Sequence, residues 1–135
     1  MQGQCLCGAV SYVCEQAPVF QALCHCRDCQ MSTGSAFAAI AFFVEQAIKI
    51  AGEVKYYESV GGSGKRIWRG FCPNCGSNLF GRVEKAPGLL SIRAGTLDDP
   101  NQFQPKLQIY AADAPHWVQL DAELHTFQAD LPPKK

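Results

Sequence analysis

The chain has no excess of either charge: twelve acids offset twelve bases over 135 residues. It therefore lacks the field with which nucleic-acid and anionic-membrane binders steer their partners. No apolar run approaches the roughly twenty residues that cross a bilayer, so neither nucleic acid nor membrane is expected as a partner. The opening Met1-Gln2-Gly3-Gln4 has no basic start and no apolar stretch of the kind an export signal needs, and a soluble, cytoplasmic protein is expected. Repeats, low-complexity tracts and linkers are missing too. One domain, 1–135, is expected, with a C-terminal tail frayed from about residue 128. The stretch Gly61-Gly62-Ser63-Gly64-Lys65-Arg66 is no phosphate loop, because Ser59 stands at the first glycine position and Arg66 at the Ser/Thr position. Phe37, Phe42, Phe43, Tyr56, Tyr57 and Trp68 read as core rather than as a platform for stacked bases.

What the chain does have is eight cysteines. With no export signal in view, reducing surroundings would keep them free, and their spacing is that of metal ligands rather than of a disulfide framework. They fall as Cys5-x-Cys7, a lone Cys14, Cys24-His25-Cys26-Arg27-Asp28-Cys29, and Cys72-x-x-Cys75. A C-x-x-C turn aims both sulfurs at one cation. A glycine after the second cysteine, Gly8 or Gly76, frees backbone N–H groups to turn toward them. Two such pairs make a closed set of Cys5, Cys7, Cys72 and Cys75, a structural zinc site. The central run supplies Cys24, Cys26 and Cys29 only, and three ligands leave one tetrahedral corner open, as in catalytic zinc sites. Cys14 and His25 are the candidates for a fourth. Cys14 reads as a small buried apolar residue, and His25, flanked by two ligands, is expected to point away from the metal they face.

The rest reads as short strands at intervals of about eight to twelve residues with Gly and Pro turns, hence a mostly β domain. A hairpin turning at Gly8 places Val10, Tyr12 and Cys14 on one face. Strands are expected at 19–23, 47–50, 54–59, 65–71, 78–83, 89–94, 107–111 and 118–120, with one helical turn over 27–32 broken by Gly34. Residues 36–44 are long enough for a buried strand, though their period alone does not separate it from a helix.

Cys5-x-Cys7-Gly8-x-Val10, Cys24-His25-Cys26-x-x-Cys29, Ser32-Thr33-Gly34-Ser35-Ala36-Phe37 and Phe71-Cys72-x-x-Cys75-Gly76-Ser77 together resemble the glutathione-dependent formaldehyde-activating enzyme family, which includes centromere protein V. The likeness runs from about Cys5 to Trp117 and takes in Gly95-Thr96-Leu97. It implies a small β-tent domain of short antiparallel strands pinned by two zinc ions. It matches Cys5, Cys7, Cys72 and Cys75 to the structural site, and Cys24, Cys26 and Cys29 to the catalytic one. The implied activity is that of a carbon–sulfur lyase, an S-(hydroxymethyl)glutathione synthase that joins glutathione to formaldehyde. Gln108, where many members carry His, and Leu124-His125, where Leu-Pro is usual, depart from the family pattern.

At an open corner a substrate thiol binds as thiolate beside an aldehyde carbonyl, with Tyr110 or His116 as candidate proton donors for the resulting alkoxide. Ser32, Thr33, Gly34 and Ser35 are candidates to line the pocket and bind glutathione. Arg27, Arg66, Arg69 and Arg93 are the candidate cations for its carboxylates, although each alone suits a solvated edge or a salt bridge. Two other functions fit the same cysteines: a non-enzymatic zinc-stabilised binding module or thiol carrier, and a structural protein in which Cys14 closes the second site.

Overall fold

The computed structural model describes residues 1–132; residues 133–135, the end of the expected frayed tail, lie outside them. The described chain forms eleven strands, one α-helix and four single-turn 3-10 helices. In order, the strands and the α-helix are β1 (Gln2–Gln4), β2 (Ser11–Cys14), β3 (Phe20–Cys24), α1 (Arg27–Thr33), β4 (Ala38–Val44), β5 (Ile48–Ala51), β6 (Lys55–Val60), β7 (Arg66–Phe71), β8 (Asn78–Val83), β9 (Leu89–Arg93), β10 (Leu107–Ile109) and β11 (His125–Thr126). The protein is mostly β, as expected. A three-stranded sheet, β1-β2-β5, covers one face of an eight-stranded sheet ordered β11-β10-β3-β4-β9-β8-β7-β6.

Strand β4 explains why its sequence gave no clear period. Its alternate residues serve two apolar clusters: Ala41 and Phe43 enter the core beneath the small sheet, with Val10, Tyr12, Leu79, Phe80, Leu90 and Ile92. Ala38, Ile40 and Phe42 face the other way, with Ala22, Cys24, Cys29 and Ile109. A strand buried on both faces has no polar side and reads as a continuous apolar run. In β2, by contrast, Tyr12 and Cys14 are buried and Val13 is exposed, the alternation predicted for a one-sided strand.

Tertiary pairing adds one feature to the sequence reading and corrects it in three places. Strands β5 and β6 follow one another through Gly52 but join different sheets, β5 pairing β2 and β6 pairing β7. Gly52 sits at φ +101°, and a Cβ there would lie 2.1 Å from the Ala9 carbonyl, so glycine is needed where the chain leaves one sheet. Residues 118–120 form no strand. Not every pair is antiparallel: β10 runs parallel to β3 and to β11. A parallel partner requires a connection of about a dozen residues or more, and 110–124 supply it between β10 and β11. Finally, 128–131 are tied down. Tyr110 and Ala112 donate backbone bonds to the carbonyls of Ala129 and Gln128, Asp130 pairs with Lys85, and Leu131 packs on the second cluster.

Candidate metal centres

All eight cysteines are free thiols, and seven of them gather into two groups. In the first, the sulfurs of Cys5, Cys7, Cys72 and Cys75 lie within 4.8 Å of one another. Cys5 and Cys7 are 3.6 Å apart, and Cys7 and Cys72 are 3.8 Å apart. A tetrahedron with metal–sulfur bonds of about 2.3 Å has sulfur–sulfur edges of about 3.8 Å, so this group fits a tetrahedral zinc-sized ion. Local backbone builds it. Gly8 and Gly76 adopt φ +79° and +78°, turning each chain so that Val10 and Cys75 donate N–H bonds to the sulfurs of Cys5 and Cys72 at 3.2 and 3.5 Å. Ser77 joins the two turns: its hydroxyl accepts from the Leu6 N–H at 3.0 Å and meets the Cys75 sulfur at 3.2 Å. Hydrogen bonds from Ser77 hold the Cys75 thiol down to about 5, and one from Asn74 lowers Cys7, so these two are predisposed to ligate as thiolates.

The second group is Cys24, Cys26 and Cys29, likewise within 4.8 Å, and no further Cys, His, Asp or Glu among the described residues joins them at that distance. Cys24 ends β3, held between β4 and β10 in register with Ala38 and Ile109. His25 fixes the turn by donating its N–H to the Ile109 carbonyl at 3.0 Å. Cys26 caps α1, its sulfur accepting from the Cys29 N–H at 3.3 Å, and Gly34 ends the helix at φ +68°. With three thiols so close, one ionises at the expense of the others. Bonds from Cys24 and Cys26 draw the Cys29 thiol down to about 3, and the Arg93 and Arg69 charges assist; donating those bonds raises Cys24 strongly. Cys26 is pulled down by Cys24 but raised on balance by its bond to Cys29 and by burial. A metal binding here must therefore displace protons from two thiols.

Cys14 lies in the apolar core and in neither group, the structural reading given to it from sequence. His25 does point away from the sulfurs, but it is buried rather than at the surface, its ring edge-on to Phe37. Its Nε2 lies 3.2 Å from Gln108 Oε1. Because Gln108 Nε2 donates to the Asp121 carbonyl, its Oε1 must accept, so His25 Nε2 carries the proton. Gln108 thus acts beneath the cluster rather than in its pocket. Gln30, which the sequence did not single out, is buried and donates to the carbonyls of His25 and Asp113 at 2.7 and 3.0 Å. It ties the cluster turn to the C-terminal region.

The three-cysteine group opens into a cavity of about 300 Å³. One wall is apolar, with Ile40, Ile109 and the stacked pair Phe20–Phe42. Arg27, Arg66, Arg69 and Arg93 all border it. Ser32, Thr33, Gly34 and Ser35 do not line it: Ser32 and Thr33 end α1, Gly34 and Ser35 follow it, and the hydroxyls of Ser32 and Thr33 are spent on the Cys29 carbonyl at 3.3 and 2.7 Å. Their adjacency in sequence to the ligands misled, because one helical turn rotates them out of the pocket. Tyr110 borders the cavity at φ +54°, a left-handed conformation uncommon for a non-glycine residue, whereas His116 is outside it. Partial burial and then the Asp130 charge push the Tyr110 hydroxyl up to about 12, so it stays protonated at neutral pH.

The family model described as glutathione-dependent formaldehyde-activating enzyme matches residues 1–113. Among solved structures, the crystal structure of a Rhodobacter sphaeroides protein superposes with a TM-score of 0.56 at 22% identity, covering 76% of this chain and 94% of that one. At that identity the likeness bears on the fold alone. No curated protein matches. The chain belongs to the glutathione-dependent formaldehyde-activating enzyme family.

Proposed function

We propose that this member of the family is a zinc-dependent carbon–sulfur lyase that makes or breaks a thiol–aldehyde adduct, with glutathione as thiol and formaldehyde as the family's aldehyde. The observation that carries the reading is the cluster Cys24, Cys26 and Cys29, which has no fourth protein ligand at its distance among the described residues and borders an apolar cavity. We assign Cys5, Cys7, Cys72 and Cys75 to a closed structural zinc, and the cytoplasm, which keeps thiols reduced, as the location.

A zinc ion held by Cys24, Cys26 and Cys29 would supply an open position at which a substrate thiol loses its proton. The chain's own residues do the remainder. Phe20, Phe42, Ile40 and Ile109 exclude water from the cavity, which strengthens every charge interaction inside it. Arg69 and Arg93 add positive charge beside the thiolates, favouring an anionic sulfur over a neutral one. Tyr110, protonated and at the rim, donates a hydrogen bond to the oxygen that becomes negative when sulfur adds to the carbonyl.

Isothermal titration of the zinc-loaded protein with glutathione tests the proposal. Saturable binding that Cys26→Ser abolishes is expected; no heat from the wild-type protein would overturn it.

A further inference from the structure

Resting on the function proposed above, we infer that Arg69 and Arg93 form a carboxylate site beside the three-cysteine cluster, and that the aldehyde taken there carries its own carboxylate. Both side chains are more than nine-tenths buried, Arg69 on β7 and Arg93 on β9. Neither takes part in any ion pair among the described residues. Their protein partners are hydroxyls: Arg69 Nη1 donates to Ser59 at 3.0 Å and Arg93 Nη1 to Ser91 at 3.1 Å. The Nε of each is buried with no partner. Two guanidiniums withdrawn from water with no carboxylate are costly unless an anion joins them.

The surrounding strands make room for that anion. Arg69 stands opposite Gly81 on β8, and Gly81 stands opposite Ser91 on β9. A Cβ at position 81 would lie 2.7 Å from Ser91 Oγ and 3.1 Å from Arg93 Nη1, so only glycine leaves the Arg93 fork undisturbed. Thiolates nearby answer part of the charge, but not the geometry. A sulfur on a metal is a poor single acceptor, whereas each guanidinium has a planar edge of N–H groups matched to a pair of oxygens. The carboxylates of a thiol such as glutathione are several bonds from its sulfur. Lys65, on the cavity rim with no ion-pair partner among the described residues, is better placed for one of those. A carboxylate close to the cluster fits an aldehyde whose carbonyl carbon is bonded directly to it.

The chemistry balances without oxidant or reductant. The thiol sulfur bonds to the aldehyde carbon, the carbonyl π pair moves to oxygen, and that oxygen takes up the proton the thiol released.

Glyoxylate, the smallest such aldehyde, is the probe, used on the full-length zinc-loaded protein. Titration with glyoxylate without thiol is expected to give saturable binding that Arg93→Met and Arg69→Met weaken roughly 10- to 100-fold, with partial recovery in Arg93→Lys. Gly81→Ala, which crowds Arg93 without removing charge, is expected to weaken it in the same direction and covers the case of a methionine variant that does not fold. Adduct formation is then followed for glyoxylate and formaldehyde, each with glutathione and with 2-mercaptoethanol, which has no carboxylate. Arginine variants that lower glyoxylate use relative to formaldehyde with both thiols support the assignment. Variants that cost glutathione but spare 2-mercaptoethanol give the carboxylate to the thiol and overturn it, as does equal loss with both aldehydes or no glyoxylate binding. Arginine-dependent glyoxylate binding without accelerated adduct formation from either aldehyde would leave the site standing and sink the proposed reaction.

Discussion

The two cysteine groups use the same ligand chemistry for opposite structural ends. The four-cysteine group brings residues 5–7 together with residues 72–75 across two tight turns, and its neighbours belong to the core under the small sheet. The three-cysteine group lies within six residues, on a turn already held by β3, β4, β10 and Gln30. A ligand set closing a long loop contributes to folding, whereas one on a short, prebuilt turn leaves its affinity for use on a ligand. The protonation patterns divide within each group rather than between them: Cys7 and Cys75 are lowered and Cys72 raised in the first, Cys29 is lowered and Cys24 and Cys26 raised in the second.

The largest expected effect comes from breaking the long-range group. Cys72→Ser should abolish cooperative thermal unfolding, since a structural zinc of this type contributes on the order of 10 kcal/mol; circular dichroism melting checks it. Cys26→Ser should keep the fold, shift stability by no more than about 2 kcal/mol, and lose one metal and thiol binding together; metal analysis alongside denaturant unfolding measures both. If both variants unfold alike, the division of labour is wrong.

Acid probes the ligands directly. Metal binding at the second group displaces protons from the raised Cys24 and Cys26, so its affinity should fall by about 100-fold per pH unit on acidification. The first group has a raised thiol of its own in Cys72, so acid is expected to release metal there as well. A chelating dye that reports metal release against pH checks that slope.

At the other end of the scale, burial raises Tyr12 to about 12 and Cys14 to about 11, in the core beneath the four-cysteine group. Raised values mean the folded state holds these protons more tightly. The stability they contribute is complete below their unfolded values and is lost as pH climbs, from about 9 for Cys14 and 10 for Tyr12, through 11 and 12. Tyr12→Phe should flatten the upper part of that decline in alkaline denaturation. On a stability scale like that of Cys26→Ser, Gln108→Ala should cost about 1–3 kcal/mol by orphaning the His25 Nε2 donor, with both metals retained.

Cysteine spacing made the ligand groups legible, because C-x-C and C-x-x-C turns with trailing glycine constrain backbone geometry over a few residues. Strand positions followed from alternation for the same local reason. What escaped was set by tertiary pairing. Arg69 and Arg93 were two of four candidate cations, each alone suiting a solvated edge or a salt bridge, and only three adjacent strands bring these two to one face with Gly81 and Ser91. Ser32–Ser35 read as pocket residues until the helix turned them outward, and the parallel placement of β10 depends on a connection whose path no local pattern encodes.

X-ray absorption of the metal-loaded protein tests the central claim most directly. The account predicts one metal with four sulfurs and one with three sulfurs plus a lighter fourth neighbour, which sulfur replaces when glutathione is added. Four protein sulfurs at both metals before any thiol is supplied would contradict it.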